Sequence, residues 1–127
     1  MKRYFFFDID GTLTTPLTAD YPDSAREAVR RLQEKGNFVA IASGRLQADA
    51  VDVAEELGID SVISDGGNGV TCCGKILYHE GLPLEDCFRL LGEIDGKKHP
   101  WAVTTENKKR RKTKYDDYLE RVTDRYY

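Results

Sequence analysis

The segment Tyr4-Phe5-Phe6-Phe7-Asp8-Ile9-Asp10-Gly11-Thr12-Leu13 constrains this chain more than any other, because an apolar run delivers two carboxylates to a point where the backbone must turn. The run predicts a strand over 4–9 buried on both faces, as parallel α/β sheets require. Asp8 and Asp10 share strand parity, while Gly11 and Thr12 break the run, so Asp10 stands at the strand end or already in the loop. An ordinary Asp-Gly turn would account for a lone acid here. Two acids flanking an isoleucine directly after an apolar strand point further, since open α/β sheets build their sites at the carboxyl ends of strands. Asp8 and Asp10 are therefore candidate catalytic or metal-binding residues.

The same grammar repeats. A loop over 11–19 leads to a helix starting near Pro22, with Asp20 or a neighbour expected to cap it and Asp23 and Glu27 placing negative charge near its start. Ala25, Ala28, Val29 and Leu32 recur at helical spacing until Lys35-Gly36. A second apolar strand over 37–42 runs into Ser43-Gly44-Arg45, followed by a helix over 46–57 and a short strand over 61–64. Strand, helix, strand, helix, strand predicts a parallel sheet with right-handed crossovers.

Asp65-Gly66-Gly67-Asn68-Gly69 reads as a turn and only weakly as an anion-binding nest. Beyond it the order changes: a hairpin from 70–73 and 75–79, a helix over 84–91, a strand over 100–105 and a helix over 115–125. The change predicts a division into 1–67, an α/β core, and 68–127, a smaller α+β unit.

The length of 127 residues suits one domain, or one small domain plus part of another, and 32% charged with 40% hydrophobic residues indicates a soluble globular protein. No apolar run approaches the roughly 20 residues that span a bilayer, and the opening lacks a secretory-signal pattern, so the expected location is cytoplasmic. Cys72, Cys73 and Cys87 form neither an even-numbered disulfide framework nor a metal-ligand spacing; reduced structural thiols are expected, the adjacent pair on opposite faces if in a strand. Residues 1–96 carry nine basic and 17 acidic side chains, residues 97–127 ten and five. The basic run at 108–114 lacks an aromatic-interleaved or zinc-finger reader and reads as a solvated surface, with nucleic-acid binding not expected. Phe5, Phe6 and Phe7 read as core, and His79 as a strand surface residue.

Asp8-Ile9-Asp10-Gly11-Thr12-Leu13 and Ile41-Ala42-Ser43-Gly44-Arg45 together resemble the first two motifs of the haloacid dehalogenase-like (HAD) phosphohydrolases. Tyr21-Pro22, the helix ending at Gly36, and Asn68-Gly69-Val70 with Gly74-Lys75-Ile76-Leu77-Tyr78 resemble the Cof-like sugar-phosphate phosphatases, which carry a large α/β cap. The resemblance covers nearly the whole chain but only the N-terminal part of such a protein, and implies a Rossmann-like core followed by a partial or reduced cap. It implies that Asp8 is the nucleophile that becomes an aspartyl phosphate and Asp10 the general acid/base. Ser43 would bind phosphate with its hydroxyl, assisted by Gly44 and Arg45, and Asp8 with the main-chain carbonyl of Asp10 would hold Mg²⁺. The substrate class implied is a small phosphorylated metabolite, with free phosphate as product.

Two features of the resembled family do not follow in this chain: a third-motif Lys or Arg and a fourth, acidic Gly-Asp-x-x-Asn-Asp motif. Three readings accommodate this: a piece of a longer hydrolase, a prematurely terminated homologue, or a short member with a rearranged site. They set an inactive phosphate-binding or interaction protein beside the hydrolase as an alternative. An uncovered half-core would also favour homo-oligomerisation.

Overall fold

The computed structural model describes residues 1–15 and 20–115. It divides into two compact units, Met1–Glu80 and Gly81 onward. In the first unit a five-stranded sheet runs in the order β1 (Tyr4–Phe7), β2 (Phe38–Ala42), β3 (Val62–Ser64), β4 (Gly69–Cys72), β5 (Lys75–His79). The β1–β2 and β2–β3 pairs are parallel, and β3–β4 and β4–β5 antiparallel. The crossovers are α1 (Asp23–Glu34) and α2 (Gln47–Glu56). The hairpin is thus hydrogen-bonded to β3, and the unit boundary falls after Glu80, whereas the change of element order put a division at 67/68.

The expectation that β1 is buried on both faces is corrected. Phe5 and Phe7 pack against the core, but Tyr4 is 66% and Phe6 54% exposed. The sheet grows in one direction from β1 to β3, and right-handed crossovers in one direction put both helices on the same face. That face holds Val29 of α1 and Ala50, Val53 and Ala54 of α2 against Val39, Ile41 and Val62. The side chains of opposite parity, Tyr4, Phe6 and Phe38, form an aromatic group of their own, with ring centroids 5.6 and 6.0 Å apart across the β1–β2 pair. β1 also stops at Phe7 instead of continuing to residue 9: the Asp8 carboxylate accepts its neighbour Ile9 N–H at 2.8 Å, opening a wide turn closed by Thr14 N–H donating to Ile9 C=O at 3.0 Å. Gly11 sits in this turn at φ 79°, a conformation that favours glycine.

Other boundaries moved by small amounts. Pro22, and not Asp20, occupies the cap position of α1, and it makes no side-chain cap bond. Proline's fixed φ prepares the helix without such a bond. Arg26 ties α1 to the end of α2, its guanidinium donating to the Glu56 carbonyl at 2.7 Å and carboxylate at 2.6 Å.

From Gly81 onward, α3 (Leu84–Gly96) extends five residues past the expected 84–91, and β6 (Val103–Thr104) and β7 (Arg111–Lys112) form a short antiparallel pair. The strand expected over 100–105 is confined to its two-residue pairing partner. Trp101 meets Tyr115 edge to face, and both donate to the Asp95 carboxylate, at 2.7 and 2.9 Å. Lys114 donates to the same carboxylate at 2.5 Å and holds its pKa down. Within the basic run, Lys108 pairs with Glu106 as well, consistent with a solvated surface. The helix expected over 115–125 lies outside the described residues beyond Tyr115.

Because Ile41 is fully buried at the centre of the parallel ladder, Ile41→Ala should destabilise the protein by about 2–5 kcal/mol. Urea denaturation followed by far-UV circular dichroism measures the loss.

Candidate functional site

Three parallel strands end side by side, and each hands its chain to a polar residue: Asp8 after β1, Ser43 after β2 and Asp65 after β3. The register Phe7↔Ile41 places Asp8 beside Ala42, one residue before Ser43, across a strand spacing of about 4.8 Å. Parallel pairing therefore brings residues 35 positions apart in sequence to one end of the sheet.

Arg45 joins two of the expected residues directly. Its guanidinium grips the Asp10 carboxylate with both prongs, Nε at 2.9 Å and Nη2 at 2.6 Å, and its backbone N–H donates to Ser43 Oγ at 3.1 Å. Asp49, one turn into α2, lies 3.7 Å from Arg45 Nη1. The hydrogen bond from Arg45 holds the Asp10 carboxyl below its ordinary range, and Arg45 is pushed up in return. Ser43 is buried, and its N–H donates to Ile63 C=O at 2.9 Å. Gly44 has open space where a Cβ would stand, so the backbone between Ser43 and Arg45 is unobstructed there. Asp8 is exposed, accepts the Ile9 N–H bond, and follows β1 at the same end of the sheet.

Sequence reasoning missed Asp65 and His79. Asp65, in the left-handed conformation at φ 51°, donates its N–H to Arg45 C=O at 2.8 Å, and Gly66 N–H reaches Ser43 C=O at 3.4 Å. The Asp65 carboxylate accepts Gln47 N–H at 3.0 Å, capping the α2 N-terminus from another element, and lies 3.1 Å from His79 Nε2. The glycine-rich turn was the available signal, but its partners come from segments distant in sequence. Gly69 completes the arrangement, since a Cβ there would stand 2.2 Å from the fully buried Ser64 Oγ, 3.1 Å from His79 and 3.2 Å from Asp65. His79, expected on the surface, is turned inward to this carboxylate.

Among the described residues, no group of three or more His, Cys, Asp and Glu is placed to hold a metal ion. No helix among them is long and apolar enough to cross a membrane.

Residues 5–124 match the family described as haloacid dehalogenase-like hydrolases. The chain belongs to that family. It is 39% identical over 106 residues to YkrA of Bacillus subtilis (strain 168), which carries a provisional phosphatase name, covering 84% of this chain and 41% of that protein. An uncharacterised protein from Geobacillus kaustophilus HTA426 superposes with a TM-score of 0.75 at 34% identity, over 96% of this chain and 48% of that one. The HAD subclass IIB sugar phosphatase BT4131 superposes with a TM-score of 0.76 at 24% identity, over 97% and 48%, and bears on the fold alone. The chain thus spans less than half the length of these relatives, and its α/β architecture is that of the Rossmann-like HAD core.

Two outcomes follow from this geometry. With Arg45→Gln, the Asp10 carboxyl should rise toward the ordinary aspartate range in a carboxyl-carbon NMR titration. The sign is fixed by linkage: a depressed folded-state pKa contributes stability above the ordinary range and loses it as pH falls through the depressed value, so the variant should lose part of the protein's acid dependence. Asp65→Ala removes the cap on α2 and should cost about 0.5–2 kcal/mol in thermal or urea denaturation, with Asp65→Asn, which retains an acceptor, losing less.

Proposed function

We propose that this chain supplies the nucleophile and phosphate-binding loop of a Mg²⁺-dependent phosphomonoester hydrolase acting on small phosphorylated metabolites of the cytoplasm. The observation that supports it most is the linked set Asp10–Arg45–Ser43 at the ends of two paired parallel strands, with Asp8 in register beside it. Family membership supports the reaction class.

In this reading the Asp8 carboxylate attacks phosphorus, forming a carboxyl–phosphate bond as the bond to the leaving oxygen breaks, and Asp10 delivers a proton to that oxygen. Asp10 then takes a proton from water as the water attacks the aspartyl phosphate, releasing phosphate and restoring Asp8. Ser43 Oγ accepts the Arg45 N–H, which leaves its own hydrogen free to donate to a phosphate oxygen. Arg45 has the geometry for either of two anions: the carboxylate it now holds, or a phosphate, which guanidinium also binds in bidentate fashion. A substrate phosphate that draws Arg45 away would relieve the depression of the Asp10 pKa and let Asp10 carry the proton it must donate.

The donors suit Mg²⁺: a carboxylate from Asp8 and the main-chain carbonyl of Asp10 are hard oxygen ligands, and this ion usually takes one or two carboxylates with water and phosphate completing its shell. When bound it would lower the repulsion between the Asp8 carboxylate and the substrate phosphate.

The test is phosphate release from a panel of small phosphomonoesters, with and without Mg²⁺, by the wild type and Asp8→Asn. Metal-dependent release should fall by at least about 10³-fold in the variant, a barrier increase of roughly 4 kcal/mol. Unchanged release would remove Asp8 as the nucleophile, and Mg²⁺-dependent phosphate binding without release would favour a noncatalytic phosphate-binding protein.

A further inference from the structure

The β4–β5 hairpin tip carries an arrangement independent of the site above. Consecutive strand residues point to opposite faces, so adjacent cysteines within a strand would be held apart. Cys72 is the last residue of β4, however, and Cys73 has already entered the turn in the left-handed conformation at φ 50°, followed by Gly74 at φ 73°. This reversal brings the two Sγ atoms to 3.9 Å. The turn is tied down from outside: Cys73 N–H donates to Ser61 Oγ at 3.1 Å and Gly74 N–H to Asp60 C=O at 2.7 Å. Cys73 is exposed, and Gly74 has open space where its side chain would be.

The spacing decides among the chemistries open to two thiols. A direct disulfide needs sulfurs about 2.04 Å apart and Cα atoms roughly 4.4 to 6.8 Å apart, whereas adjacent residues have Cα atoms only about 3.8 Å apart, so that bond would be strained and readily reduced. Two sulfurs bound to one shared atom stand farther apart: around tetrahedral zinc, with Zn–S near 2.3 Å, they are roughly 3.8 Å from one another. The observed separation is that of two unbonded sulfurs in contact, near enough for one shared atom to bridge them after a small side-chain rotation. A structural zinc requires four ligands, and among the described residues no group of three His, Cys, Asp or Glu is assembled. A monosubstituted trivalent arsenical needs only two sulfurs, because its carbon substituent supplies the third bond.

We propose that Cys72 and Cys73 form a preorganised dithiol site for trivalent arsenicals of this kind. In the step, two As–S bonds form as the arsenic–oxygen bonding breaks; the two thiol protons leave with the oxygen as water, and no atom changes oxidation state. The hydrogen bond with Cys72 pushes the Cys73 thiol up. A raised thiol is less prone to oxidation, a reaction that follows thiolate character.

The experiment treats the full chain, reduced with a phosphine so that no competing thiol is present, with one equivalent of phenylarsine oxide. Intact mass should show one phenylarsenic group gained and two hydrogens lost. The titratable thiols should fall from the three free cysteines to one. The adduct should withstand a monothiol and yield to 2,3-dimercaptopropanol. Cys72→Ser and Cys73→Ser, checked for folding by circular dichroism, should each bind the reagent at least about 100-fold more weakly, since the second bond no longer benefits from a tethered partner. Cys87→Ser should bind as the wild type does. An unmodified wild type, undiminished binding in either single variant of the pair, or loss of binding in Cys87→Ser would overturn the proposal.

Discussion

The parallel pairing of β1 with β2 is the interaction on which the rest of the first unit depends. Parallel strands cannot be joined by a tight turn, so the pairing forces the chain out through α1 and back. That crossover buries Val29 against Val39 and Ile41, and the same register aligns the ends of the two strands. Core and candidate site therefore have one origin. A slip of one residue between β1 and β2 would exchange Phe5 and Phe7 for Tyr4 and Phe6 against the core and would also move Asp8 from its place beside Ala42.

Arg45 shows how such a scaffold turns proximity into chemistry. Its side chain holds one carboxylate ionised, and its backbone orients a hydroxyl. These are different atoms of one residue at the point where β2 gives way to α2, and both act within a few ångströms of the β1 end. The Asp10–Arg45 pair is largely open to solvent on the aspartate side, with 63% of the Asp10 side chain exposed, so it contributes little to stability and can be exchanged for another anion at small cost.

Much of this was legible in the chain itself. Apolar runs ending in Asp8 and Ser43, separated by amphipathic helices, imply parallel strands whose ends converge, and the family motifs lie at those ends. What was not legible depends on partners remote in sequence. Whether Tyr4 and Phe6 are covered is decided by the direction in which the sheet grows, which a hydrophobic run does not record. The inward turn of His79 depends on the missing side chain at Gly69 and on a carboxylate in another turn. The approach of Cys72 and Cys73 depends on one residue's left-handed backbone, visible only once the strand's last position is known.

The Asp65 carboxylate on α2 has a consequence for how an anion can be recognised here. The positive end of a helix is a general attractor for phosphate, available without any particular side chain. In this protein that end already has an anion of its own, bonded to Gln47 N–H and steadied by His79. Under the proposed function, a phosphate would then rely on the Ser43 hydroxyl, the nearby amides and the Arg45 guanidinium, a recognition that discriminates by shape and hydrogen-bond direction more than by charge alone.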